Sequence, residues 1–271
     1  MPELPEVETT RQGIEPLISG CRIVRVELRV PKLRWLLDPQ LSKLLSGQTV
    51  HSVGRRAKYL MVNLDSGCLL IHLGMTGNLR VVPSSTEVAK HDHVDLHFDD
   101  GQCLRFTDPR RFGAVIWVPG IADDHPLLSK LGPEPLSDEF FGEYLYRRSR
   151  KRKLAIKSFI MDQQVVVGVG NIYASEALFM AGIRPDLEAG RVSLKRYAKL
   201  AGEIKKVLLV ALDAGGTTIS DFRQVDGKPG YFKQQLNVYG RALKPCHVCE
   251  TPIDSMRLGQ RSTYYCRCCQ R

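Results

Sequence analysis

The chain begins with Met-Pro-Glu-Leu-Pro-Glu-Val-Glu, residues 1–8, an acidic stretch that carries two prolines. Proline is tolerated in the first turn of a helix and carboxylates favour its positive end, so the stretch predicts a helix start. It also has a chemical interpretation. If Met1 is removed, Pro2 becomes a free amine that titrates near ~8 and can attack an electrophilic carbon to form an iminium. Taken alone, these eight residues favour the helix, and the two interpretations are compatible.

The composition indicates a globular protein with a polyanionic partner. The 271 residues are 43% hydrophobic and 25% charged, enough for one large domain or two of ordinary size. No run of about 18 apolar residues predicts a membrane-spanning helix, and the acidic N-terminus is unlike a secretory signal. The net charge of +10 favours nucleic acid first and an anionic membrane second. Because we find no basic amphipathic helix or lipidation motif, we expect a nucleic-acid partner and no membrane.

The hydrophobic pattern changes character halfway along the chain. Alternating residues from Arg22 to Val30 predict a half-buried strand. Turn residues separate further strand patterns at Val50–Val53, Tyr59–Leu64, Cys68–Leu73, Leu79–Val82, Val94–Phe98, Cys103–Phe106 and Ala114–Val118, which together predict a β-sandwich or barrel. From Asp138 the pattern is helical, with segments at Ala155–Gln163, Ile172–Ala181 and Ser193–Ala214. We predict an N-terminal domain (1–120), a linker (121–137), a helical domain (138–240) and a C-terminal ribbon (241–271).

Four of the eight cysteines have metal-ligand spacing. Cys246-x2-Cys249 and Cys266-x2-Cys269 are two CxxC knuckles whose separation suits tetrahedral zinc. Four thiolates leave no open coordination position, so the predicted zinc is structural and supplies the folding energy of a small ribbon. Cys268 permits another register, and an iron–sulfur cluster is a weaker alternative. Such clustering is not a disulfide framework, and it favours a reducing, cytoplasmic setting.

A glycine turn and a basic run predict phosphate contacts. Gly168-Val169-Gly170 precedes a predicted helix, with Asn171 expected as its N-cap and the turn amides as an anion site. The run 147–153 is strongly basic and Lys157 follows it. A run of basic residues is ordinarily a solvated face. Next to a turn that could bind phosphate, it is also well placed to contact a DNA backbone.

Two tight turns and two basic residues complete the candidates. His72-Leu-Gly-Met-Thr-Gly77 and Thr107-Asp-Pro-Arg-Arg-Phe-Gly113 each follow a strand pattern. Their Met75 and Phe112 are either core residues or wedges that enter a base stack, with Arg110 filling the vacated space. Lys58 opens an apolar strand and could approach a reactive centre. Between the cysteine knuckles, Arg261 is either a solvated charge or a phosphate ligand.

These motifs occur in one order along the whole chain: PELPEVE, the Lys58 strand, HLGMTG, TDPRRFG, VVGVGNIYASE, DGKPGYF and the four-cysteine ribbon. Together they resemble the formamidopyrimidine-DNA glycosylases of bacterial base-excision repair. The resemblance implies an α+β multidomain fold, with an N-terminal helix and β-sandwich, then a helix–two-turns–helix domain with a zinc finger. It implies a monomer that binds damaged double-stranded DNA in the cleft between the domains and carries one structural zinc. The implied activity is excision of oxidised purines, chiefly 8-oxoguanine opposite cytosine and formamidopyrimidines, followed by strand cleavage at the abasic site.

The resemblance also assigns roles by position. Pro2 matches the nucleophile, Glu3 the general acid/base, Lys58 the proton donor of β-elimination and Arg261 the arginine of δ-elimination. Glu6 matches a supporting carboxylate. DNA-binding positions are matched by His72, Met75, His91, Arg110, Phe112, Arg152, Lys157, Asn171 and Tyr239, and the segment Thr217–Tyr231 matches a loop that closes on 8-oxoguanine.

Two rival functions make different predictions. An endonuclease VIII-type glycosylase has the same fold but removes oxidised pyrimidines; Leu4, the TDPRRFG turn and the DGKPGYF loop favour the purine-directed branch. A non-catalytic zinc-finger DNA-binding protein explains the charge and the cysteines, but it leaves the acidic, proline-led N-terminus unexplained.

Overall fold

The computed structural model describes residues 2–215 and 236–271 of the chain. The described residues form two compact units, residues 2–129 with 214–215, and residues 130–213 with 236–271. The division after Ser129 falls within the segment predicted to be a linker. Met1, the DGKPGYF sequence and the whole of the predicted recognition loop, Thr217–Tyr231, lie outside the described residues. Among the helices that are described, none combines the length and apolar character needed to cross a membrane.

The first unit contains a β-sandwich of two four-stranded antiparallel sheets. One sheet has the order β1-β6-β7-β5 and the other the order β2-β3-β4-β8. The strands are β1 Ile23–Leu28, β2 Val50–Arg56, β3 Tyr59–Leu64, β4 Gly67–His72, β5 Asn78–Pro83, β6 Asp92–Phe98, β7 Gln102–Thr107 and β8 Ala114–Pro119. Their alternating apolar residues fill the core, which confirms the sandwich predicted from the sequence.

Among the described residues of this unit, two α-helices accompany the sandwich: α1 Leu4–Ile18 and the short α2 Leu41–Leu45. α1 packs against β2, β3 and β5, and it buries Val7, Ile14 and Ile18 in the sandwich core. Their spacing of seven and four residues places them on one helical face. The predicted N-terminal helix is therefore present, and its start is anchored on the sheets.

The second unit is helical, with α3 Gly142–Ser149, α4 Ile156–Ile160, α5 Asn171–Ala181 and α6 Leu194–Asp213. Two predictions of helix starts were wrong. The helix expected from Asp138 begins at Gly142, where a side chain would lie 2.3 Å from the Cα of Ala198 on α6. The N-cap of α5 is Gly170 rather than Asn171. The Asn171 side chain instead bonds to a distant carbonyl, as described below.

The C-terminal residues form a small hairpin of β9 Asp254–Leu258 and β10 Arg261–Tyr265. Gly259 and Gln260 make its turn, and Gly259 has a φ of +56°, a conformation that favours glycine. The knuckle cysteines Cys246 and Cys266 are buried with Phe179 of α5 in a small apolar cluster. Because this cluster contains only a few buried side chains, the ribbon has a small apolar core. A small core agrees with a ribbon that folds around a metal.

Candidate active site

The start of α1 holds Pro2 and Glu3 in a buried environment. The backbone N–H of Glu3 donates to Glu6 Oε2 at 2.8 Å, and the Glu3 carboxylate accepts the backbone N–H of Glu6 in return. This reciprocal capping box fixes the first turn of the helix. Pro2, Glu3 and Glu6 are all buried, and the helix dipole stabilises the two carboxylates. The local sequence therefore immobilises the predicted nucleophile beside its predicted acid/base.

Lys58 lies in the turn between β2 and β3, two of the strands against which α1 packs. Ala57 takes a left-handed φ of +54° in this turn, and Lys58 is buried. Arg55 donates from Nε to Glu8 Oε2 at 2.9 Å and from Nη1 to the Ala57 carbonyl oxygen at 2.8 Å. The Arg55 guanidinium thus ties the second turn of α1 to the turn that carries Lys58.

His72, the last residue of β4, is a neutral imidazole with a defined tautomer. The Gly74 backbone N–H donates to His72 Nδ1 at 2.9 Å, so the ring proton lies on Nε2. Burial, followed by the positive charges of Lys58 and Arg34, lowers the pKa of His72 to about 4. The Nε2–H therefore stays a hydrogen-bond donor at neutral pH, which suits a phosphate oxygen.

Asp108 fastens the HLGMTG and TDPRRFG turns to each other. This buried carboxylate accepts from Thr76 Oγ1 at 2.7 Å and from the Gly113 backbone N–H at 2.7 Å. Gly74 has a φ of +64°, and a Cβ there would lie 2.4 Å from the carbonyl carbon of Phe112. The close backbone approach explains the glycine, and the two turns form one structural element.

Met75, Arg110 and Phe112 extend from these paired turns. Phe112 is 44% exposed, and the Arg110 guanidinium carbon lies 4.8 Å from the centre of its ring. Met75 and Phe112 also line a cavity of about 450 Å³, together with Leu33, Arg34, His72, Gly74 and Arg111. An exposed aromatic ring held on a tight turn is not a core residue, so Phe112 fits the wedge hypothesis better than the core alternative.

His91 joins the same group of loops. Its carbonyl oxygen accepts the backbone N–H of Asp108 at 3.0 Å. Its ring lies 6.3 Å from that of His93, whose Nε2 is 2.9 Å from the Asp108 carbonyl oxygen. Four predicted DNA-binding residues, Met75, His91, Arg110 and Phe112, are therefore organised around one buried aspartate.

In the second unit, the side chains of Lys157 and Asn171 both bond to the β9–β10 hairpin, which we call the zinc hairpin because the predicted zinc ligands flank it. Lys157 is buried, and its Nζ donates to Thr263 Oγ1 at 2.9 Å and to the Ser262 carbonyl oxygen at 3.4 Å. Asn171 Nδ2 donates to the same carbonyl at 3.1 Å. DNA contact by these two residues stays a prediction. The structure gives them a second task, which is to hold β10 against the helices α4 and α5.

Arg261 and Arg152 present exposed side chains from fixed backbone positions. Arg261 follows the Gly259-Gln260 turn directly and begins β10. Arg152 follows the end of α3, and its carbonyl oxygen accepts the Gly190 backbone N–H at 2.9 Å. Both side chains are therefore exposed, and phosphate contact by either of them stays a prediction.

Tyr239 is positioned by a buried carboxylate on α5. Glu176 accepts four hydrogen bonds of 2.7–3.0 Å from the backbone N–H groups of Asn237, Val238 and Tyr239 and from the Asn237 amide. The Tyr239 ring lies edge-on to Tyr264 of β10 at 5.3 Å. Glu176 therefore links α5 to the segment that leads into the zinc ribbon.

The four predicted zinc ligands come together. The Sγ atoms of Cys246, Cys249, Cys266 and Cys269 all lie within 4.8 Å of one another, and three of these distances are 3.4 Å, 3.4 Å and 3.9 Å. Zinc–sulfur bonds of about 2.3 Å in a tetrahedron require sulfur–sulfur distances of about 3.8 Å. The thiols therefore fit a structural Zn²⁺, and the exposed Cys268 lies outside the set.

Sequence reasoning missed the residues that position the others: Asp108, Glu176 and Thr263. Glu176 offered a usable signal, because it is a lone charge in the apolar helix Asn171–Ala181 and a carboxylate there must be paired. Asp108 lay inside a quoted motif without a role. Thr263 gave no signal, since its partner Lys157 is 106 residues away.

Comparison with family models places three domains along the chain. Residues 1–115 match the formamidopyrimidine-DNA glycosylase N-terminal domain, residues 131–223 its H2TH domain, and residues 244–271 the zinc finger found in FPG and IleRS. A β-sandwich domain, an H2TH domain and a four-thiol ribbon together define the class of zinc-finger DNA glycosylases.

Comparison with individual relatives identifies the family within this class. The formamidopyrimidine-DNA glycosylase of Syntrophotalea carbinolica is 57% identical over 271 residues and covers all of both chains. The crystal structure of the MutM (Fpg) protein from Thermus thermophilus has a TM-score of 0.89 and 38% identity, over 99% of this chain and 98% of that one. A Lactococcus lactis FPG mutant in complex with a Fapy-dG containing DNA has a TM-score of 0.92 and 33% identity over the full length of both chains. The chain belongs to the formamidopyrimidine-DNA glycosylase family.

Proposed function

We propose that this protein removes oxidised purines, 8-oxoguanine and formamidopyrimidines, from double-stranded DNA and then cleaves the strand at the abasic site. The observation that carries the proposal is the capping box that fixes Pro2 and Glu3 in a buried turn at the N-terminus. Its context supports it, since Lys58 is tied to the same helix and a relative that is 58% identical shares the full length.

Pro2 is the proposed nucleophile. Its unprotonated amine attacks C1′ of the damaged nucleotide, the new N–C1′ bond replaces the glycosidic bond, and the base leaves with a proton from the site. The sugar ring opens to give an iminium, with Glu3 as the acid/base that moves protons at the amine and ring oxygen. The buried Glu3 and Glu6 carboxylates also stabilise the cationic intermediate.

The iminium makes strand cleavage feasible. It withdraws electrons from C2′, so a C2′ proton is lost and the 3′ carbon–oxygen bond breaks in β-elimination. Lys58 is the proposed proton donor of this step. A second, δ-elimination then breaks the 5′ carbon–oxygen bond, with Arg261 on the departing phosphate. Water finally hydrolyses the iminium and returns the free Pro2 amine.

The remaining predicted residues hold the DNA open. Extruding a nucleotide costs a few kcal/mol, least for a damaged base, and an inserted wedge offsets this cost. Met75, Arg110 and Phe112 are proposed to fill the vacated space. Phosphate contacts are proposed for His72, His91, Arg152, Lys157, Asn171 and Tyr239. We further propose that the enzyme is cytoplasmic and associated with the bacterial nucleoid, and that it works as a monomer.

Borohydride trapping on an abasic-site duplex tests the nucleophile. Reduction of the iminium converts it to a stable amine, so we expect a covalent complex whose modified residue is Pro2 by mass spectrometry. A preparation that retains Met1 is the matched control, because Pro2 is then an amide nitrogen without basicity. No adduct with the processed protein, or an equal adduct with both preparations, would contradict the proposal.

Competition between lesions tests the substrate class. Duplexes that carry 8-oxoguanine or thymine glycol are mixed in equal amounts, and we expect excision of 8-oxoguanine to dominate. Preference for thymine glycol would indicate an endonuclease VIII-type enzyme. Binding without excision of either base would indicate a non-catalytic zinc-finger protein.

A further inference from the structure

The loop between β1 and α2 carries a cation that has no role in the mechanism above. This loop, residues 31–37, is anchored by Leu33 and Leu37, which are buried in the sandwich core. The Leu33 N–H donates to the Trp35 carbonyl oxygen at 3.0 Å, and the Leu37 N–H donates to that of Pro31 at 3.0 Å. Arg34 therefore extends from a closed loop with a fixed backbone.

Arg34 is also joined to the turn that carries the Phe112 wedge. Its backbone N–H donates to the Gly113 carbonyl oxygen at 3.0 Å. Its guanidinium carbon lies 4.8 Å from the centre of the Trp35 ring, a cation–π contact that orients the side chain. Across residues 2–215 and 236–271, no carboxylate forms an ion pair with this guanidinium.

The cavity beside Arg34 has the chemistry of an anion site. It has a volume of about 450 Å³, and Arg34, His72 and Arg111 are its only polar side chains among the described residues. No acidic residue of the described ranges lines it. His72 presents a neutral Nε2–H donor there, because the Gly74 N–H occupies Nδ1. The positive charge of Arg34 itself helps to keep that imidazole neutral.

We infer that Arg34 is a further DNA-phosphate ligand, which binds together with His72 the phosphate next to the extruded nucleotide. The inference rests on the proposed function. The guanidinium supplies two parallel N–H donors and the imidazole supplies a third, which together match the oxygens of a phosphodiester. Because the wedge turn and the Arg34 loop share a backbone hydrogen bond, phosphate binding and base-stack insertion occur on one rigid element.

The test measures binding rather than excision. Arg34→Gln, Arg34→Lys and the control Arg22→Gln are titrated against a duplex with a tetrahydrofuran abasic analogue, which has no base to release. Arg22 is an exposed arginine of the same unit, so its substitution matches the charge change. We expect Arg34→Gln to weaken binding on the order of tenfold and to reduce the salt slope of log K by about 0.9, with Arg22→Gln unchanged. Arg34→Lys keeps the charge and the slope, but binds several-fold more weakly because it lacks the guanidinium fork.

A second readout locates the guanidinium in solution. In ¹⁵N-histidine spectra of the free protein, we expect the pKa of His72 to rise from about 4 in Arg34→Gln and to stay unchanged in Arg22→Gln. A purely structural Arg34 would lower thermal stability and leave both the slope and this titration as in the wild type. Either an unchanged slope or an unchanged titration overturns the inference. Failure of the wild type to prefer the lesion duplex would instead overturn the proposed function.

Discussion

The N-terminal turn of α1 and the zinc hairpin each present a predicted catalytic residue, but they hold it by different means. At the N-terminus, Glu3 and Glu6 fix the turn through hydrogen bonds between residues three apart. In the hairpin, Lys157 bonds to Thr263, which is 106 residues away, and Asn171 bonds to residue 262, which is 91 residues away. Four thiols there surround a metal position. One arrangement is local and the other depends on tertiary structure.

This difference sets the size of the response when each region is disturbed. A helix cap contributes about 0.5–2 kcal/mol, and the sandwich core beneath α1 remains when the cap is lost. Structural zinc contributes on the order of 10 kcal/mol to a small ribbon that has little core of its own. Loss of the metal should therefore abolish the hairpin, whereas loss of the cap should only misalign the N-terminal turn.

Removal of zinc is expected to have the largest effect. In Cys249→Ser the ribbon loses a ligand, Arg261 loses its fixed position, and affinity for an abasic-analogue duplex should fall on the order of 100-fold. Both tryptophans, Trp35 and Trp117, lie in the first unit, so tryptophan fluorescence should remain that of the wild type. The measurements are zinc content, fluorescence and DNA titration.

Cys268→Ser is the matched control for that experiment. It removes a neighbouring thiol that is exposed and lies outside the ligand set, so one zinc per chain and full affinity should remain. Zinc loss in Cys268→Ser, or its retention in Cys249→Ser, would reverse the ligand assignment. Unfolding of the first unit in Cys249→Ser would show that the two regions are not separable.

Acidification should act on the first unit through His72. Its pKa is about 4 when folded and near ~6.5 when unfolded, so between these values the unfolded chain binds the extra proton. The free energy of unfolding should therefore fall as the pH drops through this window, by about 3 kcal/mol in total once the pH is below the folded pKa. Urea unfolding followed by tryptophan fluorescence at several pH values measures this loss.

His72→Asn isolates the contribution of that residue. Asparagine keeps an acceptor for the Gly74 N–H but does not titrate, so its unfolding free energy should lose about 3 kcal/mol less on acidification than the wild type does. Equal pH dependence in the two proteins would mean that His72 is not a neutral group with a lowered pKa in the folded protein.

The same division separates what the sequence could predict from what it could not. The α1 start, the sandwich strands and the cysteine set follow from spacing and alternation within short windows, and all are found in the structure. Asn171 was expected to cap its own helix, a local rule, but its amide bonds to Ser262 on the hairpin. Arg34 carried no motif at all. Its proposed role depends on the hydrogen bond to Gly113 and on the cavity it shares with His72, which only the folded sandwich brings together.

Breaking the cap at Glu6 should have an intermediate effect. Glu6→Ala leaves the Glu3 N–H buried without its acceptor, which should cost about 2 kcal/mol of unfolding free energy. Because Pro2 is then no longer held in place, the rate of borohydride trapping should fall by at least about tenfold. Glu6→Gln retains a carbonyl acceptor for the Glu3 N–H and should keep most of the rate. If Glu6→Ala were trapped at the same rate as the wild type, the capping box would not be what positions the nucleophile.

The smallest effect is expected where the hairpin depends on one side-chain contact. Thr263→Val conserves the shape of the residue but removes the hydroxyl that accepts the hydrogen bond of Lys157 Nζ, at a cost of about 1 kcal/mol. Hydrogen exchange of the β9–β10 amides should accelerate several-fold, and DNA affinity should fall to a similar extent. Thr263→Ser restores the acceptor and should restore both. Since the first unit takes no part in this contact, its fluorescence-detected unfolding should not change. A change there, or unaltered exchange in the hairpin, would contradict the contrast between a locally fixed N-terminal turn and a hairpin fixed by distant residues.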